Sequence, residues 1–251
     1  MVARLYWITG VFCSGPTLRI SHKHKFIFFS SPKTGSESVR LMLDPYSDIK
    51  CVRLSETTPD FPFYDHITPL ELRGIFRQRG WDFDSYYRFV FVRNPWARLV
   101  SVYAAILDRG FAGRVRDLGN ALSRLARGRD MSPDLAGFRR WVREVETSGR
   151  GGGGKPHHRF RQKGTWSIAA FVGDGEGHEL VDEVIRLEDA ADRLPTLARQ
   201  LQLPDPEKLT LPHVNVHRHP QYVAYYDDAT AEHVARLYAD DIARFGYRFG
   251  G

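Results

Sequence analysis

The sequence predicts an α/β fold with a central parallel sheet flanked by helices. Two stretches carry that expectation: FIFFSSPKTGSESVRLML, residues 26–43, and RFVFVRNPWARLVSVY, residues 88–103. Each passes from a short apolar run through a small polar turn into a segment with helical periodicity, and such alternation is the pattern of a parallel sheet covered on both faces. A length of 251 residues with 42% hydrophobic content allows a substantial core, and the composition is neither disordered nor membrane-like. The two stretches favour one domain over residues 1–251.

The first residues, MVARLYWITGVFCSGP, lack a small-residue cleavage site and read as a strand or packed arm. No apolar run reaches about 18 residues, so a soluble, cytoplasmic protein is expected. Cys13 and Cys51 are too few for a disulfide framework and read as lone thiols.

Phe26 to Phe29 suit a strand buried on both faces. A helix follows, with Ser36 or Ser38 as its cap, Val39, Leu41, Met42 and Leu43 as its apolar side, and Asp44-Pro45 as its stop. Gly35 permits close backbone approach, and the first helical N–H groups together with the dipole favour an anion. Lys33 adds a full positive charge. It precedes Gly35, whereas the Walker A lysine follows the second glycine, so the loop is not that of a standard ATPase.

His66 lies in FPFYDHITPLELRGIF, residues 61–76, just ahead of a helix beginning near Pro69. A neutral imidazole, with a reference pKa near 6.5, accepts protons at neutral pH and is the commonest general base. Asp65 is either its orienting partner or part of the turn.

Phe89 to Val92 form the next strand, Pro95 suits a first helical turn, and Trp96, Leu99, Val100 and Tyr103 recur at helical spacing. Arg93 ends the strand. Ligands in open α/β sheets bind beyond the carboxyl ends of strands, so Lys33 and Arg93 share one crevice if their strands are parallel neighbours. Arg93 offers a planar fork for phosphate, and Ser101 a hydroxyl two helical turns on.

Together these segments resemble the PAPS-dependent sulfotransferases, specifically the carbohydrate-type group that includes the heparan 2-O and chondroitin sulfotransferases and bacterial relatives. Pro32-Lys33-Thr34-Gly35-Ser36 with Ser38 resembles the family's 5′-phosphosulfate loop, and Arg93-Asn94-Pro95 with Arg98, Ser101 and Tyr103 its 3′-phosphate segment. His66, Thr68, Glu71 and Leu72 match its His-x-Thr-x-x-Glu-Leu element. The resemblance implies a fold related to P-loop kinases, with Thr34, Gly35, Ser36 and Ser38 holding the 5′-phosphate and Arg93 and Ser101 the 3′-phosphate. It implies Lys33 at the bridging oxygen and His66 as base, with PAPS as co-substrate, PAP as product and no metal. Glu37 stands where the family more often has Thr or Ser, leaving its backbone N–H as the expected contact. The implied partner is a hydroxyl-bearing acceptor, an anionic or neutral glycan, and not nucleic acid. The family's animal members carry Golgi membrane anchors, and no such anchor is evident in this sequence.

A net charge of +6 suits an anionic ligand. Arginines are dense between Arg109 and Arg161, at Arg114, Arg116, Arg124, Arg127, Arg129, Arg139, Arg140 and Arg143. They read equally as a solvated helix face or as a groove for an acidic acceptor. A helical insertion and flexible loop over about 108–165 is expected on the acceptor side, with the glycine run at 150–156 as its flexible part. Arg161 and Lys163 are candidates to close over the 3′-phosphate, by resemblance.

Val181 to Leu187 read as a strand with Glu188 in the family's Arg-x-Glu position, and Ala190 to Leu201 as a helix. LPHVNVHRH, residues 211–219, reads as an exposed loop rather than a metal site. A single helix is expected from about Ala229 to Arg244, before the closing Phe245 to Phe249. Two other classes share these features: a kinase using ATP and Mg²⁺ in the same crevice, and a basic nucleic-acid binder with salt-sensitive affinity.

Overall fold

The structure, a computed structural model, describes residues 17–114, 134–145, 165–206, 210–211 and 222–251. Its sheet has five strands: β1 (Arg19–Ser21), β2 (Phe26–Phe29), β3 (Ile49–Lys50), β4 (Tyr87–Val92) and β5 (Glu183–Arg186), in spatial order β3-β1-β2-β4-β5. β2, β4 and β5 are parallel, with Phe29 opposite Val90 and Val90 opposite Val184. The expected parallel sheet is therefore the half that carries the crevice, and the other half is antiparallel. The four residues 22–25 between β1 and β2 are too few for a crossover, so Ile20 pairs antiparallel with Ile27, and β3 adds antiparallel to β1.

All four residues of β2 are fully buried, because both faces of the sheet are covered. Phe26 and Phe28 join Phe89 and Phe91 on one face, under Val39, Met42 and Leu43 of α1 (Ser36–Leu43) and Leu194 and Leu197 of the helix Ala190–Gln200. Ile27 and Phe29 join Val90 and Val92 on the other. That face is covered by α2 (Pro69–Gln78), α3 (Pro95–Arg114), α4 (Leu135–Arg143) and α5 (Ile168–Val172), through Leu72, Phe76, Leu99, Phe138 and Ile168. Alternate side chains of one strand thus feed two cores, and a near-continuous apolar run is the sequence trace of that arrangement.

The helix Ala190–Gln200 (α6) agrees with expectation, whereas the segment 229–244 is two helices, α7 (Asp228–Leu237) and α8 (Ala239–Phe245). The break falls at Tyr238, which is buried and donates its hydroxyl to the Thr165 carbonyl at 2.6 Å. Beyond it, Asp241 turns inward and accepts the N–H groups of Ile168 and Ala169, at 2.8 and 3.1 Å, at the start of α5. The backbone of Tyr238, with φ of −116° and ψ of 30°, leaves the helical region there, and the two side chains tie the junction to the start of α5. The α1 cap also differs: the N-cap is Gly35, with Ser36 and Ser38 inside the helix.

Only part of the segment 108–165 is described. In it, α4 buries Phe138 and Val142 in the second core, Arg139 donates to the Tyr225 and Tyr226 carbonyls, and Arg143 pairs with Asp227 at 3.4 Å. These two arginines tie α4 to the turn before α7. The glycine run, Arg161, Lys163, Cys13 and the histidines of 212–219 lie outside the described residues. Cys51 is a buried free thiol, pushed up to about 12 by burial. Among the described residues, no helix is long and apolar enough to cross a membrane.

The pairing of β4 with β5 is reinforced at its amino end by Asp182, which accepts the backbone N–H of Arg88 at 2.8 Å and a two-pronged guanidinium contact at 2.8 and 2.9 Å. Burial raises the Asp182 carboxyl, and the bonds from Arg88 outweigh it, so the group sits below its ordinary value. A depressed folded-state pKa contributes stability that is present above the unfolded value, about 3.9, and lost as pH falls through the folded one. Asp182→Asn is therefore expected to lower stability at pH 7 by about 1 kcal/mol, modest because the site is partly exposed. Melting curves from pH 7 to pH 2 should show the gap closing on the acid side; a gap independent of pH would refute the linkage.

Candidate active site

β2 runs into a loop whose geometry depends on left-handed backbone. Ser30 and Ser31 are buried at the strand's end, and Lys33 and Gly35 adopt φ of 65° and 76°. Gly35 has a second requirement: a Cβ there would stand 2.6 Å from Leu187 Cδ1, just beyond β5. Thr34, fully buried, and Ser36 each donate a hydroxyl to the Ser31 carbonyl at 2.9 Å, so these hydroxyls hold the loop's shape. Ser38 donates its N–H to the Gly35 carbonyl at 3.0 Å. The N–H groups of Ser36 and Glu37 open α1 and have no intrahelical acceptor, an arrangement that favours an anion. The Glu37 carboxylate, anomalous in sequence, accepts from Arg40 Nη2 at 2.8 Å and Nε at 3.2 Å. Its charge is thereby offset within α1.

His66 meets this loop from the other side. Its Nδ1 lies 2.8 Å from the Ser30 carbonyl oxygen and 3.3 Å from Ser30 Oγ, which in turn receives the Thr17 hydroxyl at 2.5 Å. A carbonyl can only accept, so the neutral imidazole carries its proton on Nδ1 and presents the lone pair of Nε2. Asp65 Oδ2 is 3.9 Å from Nε2, on the side where a proton would be taken up.

The left-handed φ of 62° at His66 is held by its neighbours. Asp65 donates its N–H to the Val52 carbonyl at 3.3 Å. Thr68 and Glu71 form a reciprocal capping box at the start of α2, and Tyr64 donates to Glu71 at 3.0 Å. The Thr and Glu of the sequence element thus fix the backbone around His66.

Arg93 follows β4, beside the loop that follows β2, as the parallel register requires. It is partly buried, and burial lowers its guanidinium from the ordinary value, opposed by the nearby Glu188 carboxylate. Among the described residues, none hydrogen-bonds or ion-pairs with that guanidinium, and none bonds the hydroxyl of Ser101, a buried residue of α3.

Asn94 is buried and works in both directions: its Oδ1 accepts the N–H groups of Trp96 and Ala97, capping α3, and its Nδ2 donates to the Arg248 carbonyl at 3.1 Å. Arg98 is buried too; it donates to the Trp166 carbonyl and lies over the Tyr238 ring, so it is an internal clamp. Tyr103 donates to Asp134 at 3.0 Å, joining α3 to the start of α4.

The structure thus gathers Lys33, Gly35, Ser36, Glu37, Ser38 and His66 at the carboxyl end of β2 and Arg93 at that of the adjacent β4, the edge where doubly wound sheets hold ligands. Sequence reading assigned no role to Ser30 and Thr17 behind the histidine, or to Glu188 after β5. Glu188 accepts the Asn94 N–H at 2.9 Å and the Tyr247 hydroxyl at 3.1 Å. Only its position in Arg-x-Glu marked it.

Searches of curated proteins and of solved structures gave no match. The model of the sulfotransferase family matches residues 16–248, which spans every element of the site. With that match over nearly the whole chain, the chain belongs to the sulfotransferase family.

Proposed function

We propose that the protein transfers the sulfuryl group of PAPS in line to a hydroxyl on a saccharide, with His66 as general base and Lys33 at the departing oxygen. The observation that supports this reading is the 2.8 Å contact between His66 Nδ1 and the Ser30 carbonyl, which holds the imidazole beside the loop that follows β2. The acceptor oxygen attacks sulfur while the bond from sulfur to the bridging oxygen of PAPS breaks. His66 Nε2 takes the acceptor's proton, and PAP leaves with the electron pair of the broken bond. The Lys33 ammonium offsets the charge developing on the bridging oxygen, the kind of preorganised electrostatic stabilisation that is often the largest catalytic contribution.

Thr34 and Gly35 shape the loop, the N–H groups of Ser36 and Glu37 with Ser38 hold the 5′-phosphate, and Arg93 with Ser101 holds the 3′-phosphate. The unpaired guanidinium of Arg93 among the described residues supports that last role, since a partly buried cation gains most from an incoming dianion. A kinase would need an acid to hold Mg²⁺ near the strand ends. Glu188, which follows β5, is already bonded to Asn94 and Tyr247.

The saccharide acceptor is supported by the His-x-Thr-x-x-Glu-Leu element and by the net charge of +6. Transfer from ³⁵S-labelled PAPS to glycans, phenols and tyrosine peptides tests it, with label expected on glycan and PAP released in equal amount. Label confined to phenols or peptides would refute the saccharide assignment.

A further inference from the structure

We infer that Glu188 is the positioning residue that gives the crevice its preference for a 3′-phosphate, an assignment that rests on the proposed PAPS site. Among the described residues no side chain holds the Arg93 guanidinium, so its direction depends on the backbone turn from which it springs. That turn is fixed at its next residue, where the Asn94 N–H donates to Glu188 Oε1 at 2.9 Å. Asn94 then caps α3, so the same anchor sets the frame from which Ser101 reaches the site.

Glu188 is itself held from two sides. The Tyr247 hydroxyl donates to its second oxygen at 3.1 Å, and the residue before it, Leu187, packs against Gly35, where even one added carbon would collide. The carboxylate therefore sits where the 5′-phosphate loop, the 3′-phosphate segment and the closing segment meet. Its negative charge also stabilises the Arg93 guanidinium across the gap without a direct ion pair. The fork of Arg93 is left open to phosphate, whereas a carboxylate in bidentate contact would compete for it.

The test compares the affinity of PAP with that of adenosine 5′-phosphate, which lacks only the 3′-phosphate, by titration calorimetry on the full chain. Glu188→Ala is expected to weaken PAP by about 10- to 100-fold, the range for a lost hydrogen bond to a charged group. Its affinity for adenosine 5′-phosphate should move by less than about threefold, so the preference collapses. Glu188→Gln keeps an oxygen for the Asn94 N–H and should retain most of the preference. Glu188→Asp keeps the charge but withdraws the carboxylate by one methylene, should lose the preference, and serves if the alanine variant does not fold.

Equal weakening of both nucleotides would reduce Glu188 to a structural residue, and an unchanged preference in the alanine or aspartate variant would overturn the assignment. Wild-type protein that binds the two nucleotides equally would instead overturn the proposed PAPS site itself, before any variant is made.

Discussion

His66→Ala is expected to lower sulfuryl transfer by about 10²- to 10⁴-fold, the range contributed by a positioned general base, while PAP binds within about threefold of wild type. The separation follows from the geometry. His66 is joined to the loop by its Nδ1–H donated to the Ser30 carbonyl, a buried group of the strand end and not of the phosphate cradle. Removing the imidazole costs its hydrogen bonding to Ser30, about 1 kcal/mol of stability. The Ser31 carbonyl, which holds Thr34 and Ser36 in place, keeps both donors. Single-turnover rates with labelled PAPS, paired with PAP calorimetry, check this. Wild-type turnover would remove His66 from the mechanism, and loss of PAP affinity beyond tenfold would make it a structural residue.

Lys33→Ala is the second large effect, with kcat expected to fall about 10²- to 10³-fold, as when a single preorganised donor is removed from a developing anion. Ground-state affinity for PAP should weaken far less, because the backbone cradle and Arg93 remain. Lys33 has a left-handed φ of 65°, and alanine bears the same Cβ penalty there, so the backbone strain is common to both proteins. The change isolates the ammonium. If kcat held and only KM rose, Lys33 would be a binding residue with no share in breaking the sulfur–oxygen bond.

The parts of this fold that were legible are those whose burial is two-sided or periodic. FIFF at 26–29 and FVFV at 89–92 are apolar at successive positions because alternate side chains enter different cores, and this pattern located the crevice. The loop was legible from Gly35 and Lys33, whose conformational and charge requirements are written in residue type. The antiparallel strands β1 and β3 left little trace, being three and two residues long. The break at Tyr238 was hidden because helical periodicity continues across it, and the bonds made there run to the distant Thr165 carbonyl and the start of α5.

The buried support of the site was least legible. Asn94 meets Glu188 across 94 positions and the Arg248 carbonyl across 154. Such bonds connect single atoms of remote loops and impose no spacing on the chain. Ser36 shows the same limit at short range. It is a good cap by type, yet its hydroxyl serves the Ser31 carbonyl because Gly35 has already set the helix start.

The central claim is that the edge formed by Lys33, His66 and Arg93 is a site for a 3′-phosphorylated sulfuryl donor. Calorimetric titration of the wild-type chain with PAP, and with ATP and Mg²⁺, tests it most directly. The account predicts that PAP binds at least about tenfold tighter, a difference of about 1.4 kcal/mol, and that the advantage disappears in Arg93→Ala. Equal affinities, or a preference for ATP with Mg²⁺, would contradict it.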